Sequence, residues 1–174
     1  MPQEIKHRLR LFVDPLHPLA KLRWSPIENL HITTKFIGEW PDARLEQITN
    51  ALSDVPKAGE FEISVGGLGW FPDATHPHVL WAGVKADNAL AQLASATEEA
   101  LGTVGVAAES RSYSPHLTLA RISETATLTA LRRAIDDANE GNRATDFGHF
   151  RAREFSLFAS AEGTYTSLAT FSLS

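Results

Sequence analysis

Short stretches of alternating apolar and polar residues run along this chain, separated by stretches with helical spacing. Residues 9–13 predict a strand that stops at Asp14-Pro15. Pro15, Pro18 and Pro26 rule against a long helix over residues 14–26. Residues 30–37 predict a second strand, with His31, Thr33 and Lys35 on one face and Ile32, Thr34 and Phe36 on the other. Residues 41–52 predict a helix: Pro41 suits its first position, and Leu45, Ile48 and Leu52 recur at helical spacing. Strands follow at 61–68 and 78–84, then a helix over 86–101 with Leu90, Leu93 and Ala94 on one side. Gly66, Gly67 and Gly69 mark a bend or bulge between the two strands.

A strand at 115–122 comes next, then a helix over 123–139 with Leu128, Leu131 and Ile135 as its apolar stripe and Gly141 as its stop. Strands at 153–160 and 165–173 close the chain around a Glu162-Gly163 hairpin turn. Strands and helices thus alternate in two similar rounds. That order predicts an α+β protein with antiparallel sheets rather than a doubly wound parallel one.

The length of 174 residues suits one continuous domain, here residues 1–174, and no linker or low-complexity stretch divides it. There is no cysteine, so neither a disulfide framework nor a thiolate metal site is available, and the composition fits a reducing cytoplasm. The start MPQEIKHRLRLFV has no long apolar core of a signal peptide, and no apolar run is long enough to span a membrane. A net charge of -5 argues against a broad nucleic-acid binder. It leaves room for a local basic cluster: Lys21, Arg23 and Lys35 near one histidine, Arg111 and Arg121 near another.

The candidate chemistry lies in a repeat. Leu30-His31-Ile32-Thr33 and Pro115-His116-Leu117-Thr118 share a His, apolar, Thr order inside strand-like segments. Strand alternation puts each imidazole beside a hydroxyl and turns Ile32 and Leu117 into the core. A pair of imidazoles can supply one base and one acid near neutral pH, which is what opening a cyclic phosphodiester with water requires. Thr33 and Thr118 can then hydrogen-bond the phosphoryl oxygens, and no metal or cofactor is needed. His76-Pro77-His78 lacks a third ligand nearby, and Gly66–Gly69 lacks the Lys-Ser/Thr of a phosphate loop. His7, His17 and His149 read as surface; Trp24 and Trp81 read as packing residues.

These residues resemble the two-histidine (2H) phosphoesterase superfamily, and within it the bacterial and archaeal RNA 2′,3′-cyclic phosphodiesterases, historically called 2′-5′ RNA ligases. The resemblance rests on Arg10-Leu11-Phe12-Val13, Arg23-Trp24, Glu28–Thr33, Phe36-Ile37-Gly38-Glu39, Gly66–Gly69 with Phe71-Pro72, Val79-Leu80-Trp81 and Ser114–Arg121, in that order. It implies two interleaved lobes related by a pseudo-twofold axis, each contributing one motif, with two antiparallel sheets around a central cleft and helices outside. It implies conversion of a 2′,3′-cyclic phosphate on an RNA or oligonucleotide end to a 2′-phosphomonoester, with reversible 2′-5′ ligation, by a monomer.

Carried onto this chain, the resemblance makes His31 the acid for the leaving 3′ oxygen and His116 the base for water. Thr33, Thr118 and Arg121 bind phosphate, and Phe36 offers a backbone phosphate contact. Tyr113 is a candidate for stacking on a terminal base. The segment from Asp14 to Leu22 is short and proline-rich where the family has a fuller helix after its first strand, which leaves the substrate less defined than the reaction. The competing functions are action on a small cyclic phosphate or a 2′-5′ oligonucleotide, a non-catalytic RNA-binding module, and a metal hydrolase.

Overall fold

A computed structural model describes residues 1–123, 126–141, 145–161 and 163–174. The chain begins with helix α1 (Gln3–Val13) and a 3-10 helix (Asp14–Leu19). Strand β1 (Arg23–Trp24) follows, then a 3-10 turn (Ile27–Asn29), a second such turn (Asp42–Arg44) and helix α2 (Leu45–Ser53). Next come β2 (Phe61–Phe71), β3 (Val79–Ala86), α3 (Asn88–Thr103), β4 (His116–Arg121) and α4 (Thr129–Glu140). The chain closes with β5 (Asp146–Ala152), β6 (Glu154–Ala161) and β7 (Thr164–Ser172). One sheet has the order β1-β4-β3-β2-β5, and β6 pairs with β7 in another. No described helix is long and apolar enough to cross a membrane.

Two compact units interleave along the chain. The first comprises Met1–Ile32, Ser64–Lys85 and Pro115–Phe150; the second comprises Thr33–Ile63, Ala86–Ser114 and Arg151–Ser174. His31 and His116 both fall in the first, where Ile32 makes an isolated antiparallel bridge to Leu117, and Thr33 falls in the second.

Residues 9–13 are the end of α1 and not a strand. Ile5, Leu9 and Val13 recur every four residues and are all buried, so helical spacing overrides the local β-like run. Phe12 packs edge-on against Phe147 of β5, with ring centroids 5.4 Å apart. Lys6 and Arg10 both reach Glu28 at 2.7 Å, tying α1 to the turn that precedes His31. These two cations, Lys6 first, hold the Glu28 carboxyl below the ordinary carboxylate range.

The predicted strand over 30–37 is also absent; only the Ile32 bridge remains of it. The predicted helix over 123–139 starts at Thr129, and residues 124 and 125 lie outside the described residues. Strands β1 and β5 were not expected from the pattern, since one is two residues long and the other is interrupted by Gly148. The other helices and strands lie where the spacing predicts, within a few residues. Of the hairpin turn, Glu162 lies outside the described residues, while Gly163 has a φ of +82°, which suits glycine.

In the first unit, Leu80, Ala82, Leu117, Leu119, Leu131, Ile135 and Phe147 are buried. At the glycine bend of β2, the Asn139 amide of α4 takes the place of a strand partner. Its oxygen accepts from Leu68 N–H and its nitrogen donates to Leu68 C=O, each at 3.1 Å. The preceding residue, Gly67, donates instead to the Thr145 carbonyl at 2.9 Å.

In the second unit, Ile48 and Leu52 of α2 meet Leu93 and Leu101 of α3, with Leu157 and Leu173 from the C-terminal hairpin. Lys35 is buried there. Its ammonium pairs with Glu98 at 2.7 Å and donates to the Ala107 carbonyl at 2.6 Å. Lys35 first, then the Glu109 backbone N–H, holds the Glu98 carboxyl below its ordinary range.

Candidate active site

Strand β4 carries His116, Thr118 and Arg121. It pairs with β3 through His116 and Gly83, Leu117 and Ala82, and Thr118 and Trp81. The register then shifts, so that Ala120 lies opposite Leu80 and Arg121 opposite Val79. Leu119 is therefore an extra residue, a β-bulge. The consequence is one of parity. His116 and Arg121 are an odd number of residues apart, so an unbroken strand would turn them to opposite faces. The bulge spends one residue, and Arg121 returns to the face of His116 and Thr118. Burial follows the same pattern: Leu117, Leu119 and Ala120 are buried, while His116 and Thr118 are half-buried and Arg121 is exposed.

His31 reaches this strand from the other edge. The bridge of Ile32 to Leu117 is antiparallel, which sets His31 alongside Thr118 and diagonal to His116. Diagonal neighbours in an antiparallel pair lie about 7–8 Å apart, with their Cβ atoms somewhat closer, a span that leaves room for a small group between two rings. His31 Nδ1 lies 2.7 Å from the Asn29 carbonyl oxygen. A carbonyl only accepts, so Nδ1 carries a hydrogen.

His116 is held differently. The Phe71 ring meets its imidazole at 80°, with centroids 4.9 Å apart, and Trp81 backs Phe71 at 5.2 Å. Glycines make the space. A Cβ on Gly69 would come within 2.2 Å of the Trp81 ring, and one on Gly83 would lie 2.5 Å from the Gly66 carbonyl oxygen. Trp81 is thus a half-buried residue beside Thr118, with its indole N–H buried and unpartnered among the described residues. Glycine alternating opposite large aromatics was the only sign of this arrangement in the sequence.

The other three candidates belong to the second unit. Thr33 is exposed, and Phe36 leaves 81% of its surface open. Tyr113 is half-buried, and burial pushes its phenol up to about 12. The expected basic cluster divides. Lys35 is neutralised by Glu98, and Arg111 by Glu109 at 2.8 Å. Arg23 and Arg121 instead lie directly opposite one another across β1 and β4.

A broad hollow of about 1060 Å³ in the first unit, beside Leu19, Lys21, Thr129 and Arg133, is lined by none of the seven candidates. Its size does not make it the site, because neither His-x-Thr motif lines it. His76 serves a local turn: Asp73 accepts from the backbone N–H groups of Thr75 and His76. No three His, Asp or Glu side chains converge to hold a metal among the described residues.

Residues 6–164 match the family model of the 2′-5′ RNA ligase superfamily. A protein of Methanocaldococcus jannaschii called RNA 2′,3′-cyclic phosphodiesterase is 30% identical over 161 residues, which cover 92% of this chain and 87% of the relative. A protein of Archaeoglobus fulgidus with the same description is 30% identical, over 88% of this chain and 82% of that one. The crystal structure of Escherichia coli LigT complexed with 3′-AMP shares the fold, with a TM-score of 0.76 at 22% identity over 99% of this chain and 92% of that one. Family model, relatives and fold agree, and the chain belongs to the 2′-5′ RNA ligase superfamily.

Proposed function

We propose that this protein is a metal-independent RNA 2′,3′-cyclic phosphodiesterase. His116 takes a proton from water, whose oxygen attacks the phosphorus. The bond from phosphorus to the 3′ oxygen breaks, and His31 donates its Nε2 proton to that oxygen. The products are a 2′-phosphomonoester and a free 3′ hydroxyl. Thr118 and Thr33 donate hydrogen bonds to the phosphoryl oxygens, where charge accumulates. Arg121 contributes a charge-assisted contact to a substrate phosphate, and the Phe36 backbone adds another. Tyr113 offers a ring face to a base. With the 5′ hydroxyl of a second strand in place of water, the same step forms a 2′-5′ linkage, and its reversal, with the two histidines exchanging roles, cleaves that linkage back to the cyclic phosphate.

One observation carries this reading: the bridge between Ile32 and Leu117 sets His31, Thr118 and His116 together on one side of β4. Both histidines come from one unit of one chain, so a monomer suffices. The descriptions of the relatives support RNA as the substrate, and the absence of cysteine fits a reducing cytoplasm.

The decisive experiment incubates the protein and a chelator with an oligonucleotide ending in a 2′,3′-cyclic phosphate. The expected product is a 2′-phosphate. A 3′-phosphate would overturn the acid and base assignment, and turnover that stops with chelator would overturn metal independence.

A further inference from the structure

Arg23 of β1 and Arg121 of β4 are direct cross-strand partners. Residues so paired share a face with Cβ atoms about 4.5–5.5 Å apart, and like charges in that position repel. Both are exposed, and neither has an acidic partner among the described residues. Most other arginines of known environment on this chain have one: Arg8 pairs with Glu4, Arg10 with Glu28, and Arg151 with Glu60. The neighbouring pair, Trp24 and Ala120, points to the opposite face, where Trp24 packs on His17 with centroids 4.7 Å apart. Trp24 thus fixes which way Arg23 faces.

The bulge at Leu119 makes this arginine pair part of the face that carries the histidines. From the level of Thr118 to the level of Arg121, β3 advances two residues, from Trp81 to Val79. That is about 7 Å at strand rise. An extended nucleic-acid strand sets its phosphates farther apart than the roughly 3.4 Å per residue of a stacked one, so a neighbouring phosphate can reach that level.

We infer that Arg23 and Arg121 together form a seat for the phosphodiester immediately 5′ of the reacting end. The seat rests on the proposed reaction and names its substrate class: an oligonucleotide of at least two residues, in preference to a cyclic mononucleotide. Two guanidinium groups that repel each other in the empty protein are reconciled by one phosphate between them, which each can contact through paired N–H donors.

The test compares two substrates: a tetranucleotide ending in a 2′,3′-cyclic phosphate, and adenosine 2′,3′-cyclic phosphate. Arg23→Gln is expected to lower kcat/KM about tenfold on the tetranucleotide, chiefly through KM, with a loss at least fivefold smaller on the mononucleotide. The slope of log kcat/KM against log salt for the tetranucleotide should flatten by about 0.7. Arg23→Lys should recover part of the loss, and neither variant should lower Tm. Equal losses on both substrates, or none on the tetranucleotide, would overturn the seat. If the unaltered protein opens neither substrate, the proposed reaction is what fails. The seat is then judged by fluorescence anisotropy with a labelled tetranucleotide ending in a 2′-phosphate. Arg23→Gln weakening that binding about tenfold supports it, and unchanged binding overturns it.

Discussion

The two histidine motifs read alike in the sequence, yet they are built differently. His116 begins a strand paired on both sides, with an aromatic ring braced against its imidazole and a glycine opposite it. His31 belongs to no strand. A 3-10 turn, a backbone carbonyl and a single bridge at Ile32 hold it. Like motifs therefore do not require like scaffolding. What the motifs share is a bridged apolar residue between His and Thr, fully buried at Leu117 and half-buried at Ile32, so the His31 motif only partly meets the expectation of a core residue.

The sharpest way to break this equivalence is to remove each imidazole in turn. His31→Ala and His116→Ala should each lower turnover about 10³-fold, the ordinary weight of a general acid or base, with little change in thermal melting. A His31→Ala protein that kept a tenth of its rate would make the pair unequal. Thr118→Val comes next. It keeps the shape and removes a donor to the phosphoryl oxygen, so kcat should fall about 10²-fold in a steady-state assay.

Gly83→Ala attacks only the His116 side. Its methyl would meet the Gly66 carbonyl, a backbone atom that cannot step aside. The expected cost is about 2 kcal/mol of stability, read by urea unfolding, and turnover should fall with it because Gly83 lies opposite His116. Lys35→Met, on the chain beyond the His31 motif, should act on stability through the second unit, lowering Tm by about 2–4 °C at neutral pH. Glu98 is held below the usual carboxylate range, so its contribution is complete at neutral pH and is lost as pH falls through that lowered range. The gap between the two melting curves should accordingly close on acidification.

The family was legible in the sequence, because the two His-x-Thr segments stand among matching blocks in the right order. The strand and helix order was legible too where periodicity was long, as in α3 with Leu90, Leu93 and Leu101 buried. Two kinds of information were not local. Leu9–Val13 looks like a strand by itself, and Ile5 is what reveals the helical stripe. The reach of Arg121 depends on the extra residue at Leu119, which shows only once β3 supplies a register. The same holds for Arg23: nothing in Arg23-Trp24 alone says that a second guanidinium lies across from it. Lys35 shows the reverse error, since a cation near a histidine was counted toward a local basic cluster and is neutralised by Glu98.

Asn139 carries a consequence of its own. By answering both main-chain groups of Leu68, a single carboxamide behaves as a strand one residue long and covers that margin of β2. Bare margins recruit other molecules into intermolecular sheets. Exchanging this amide for a hydrocarbon of similar bulk would leave the interior filled but reopen that margin, and the harm would surface as clumping during storage or expression more than as lost catalysis.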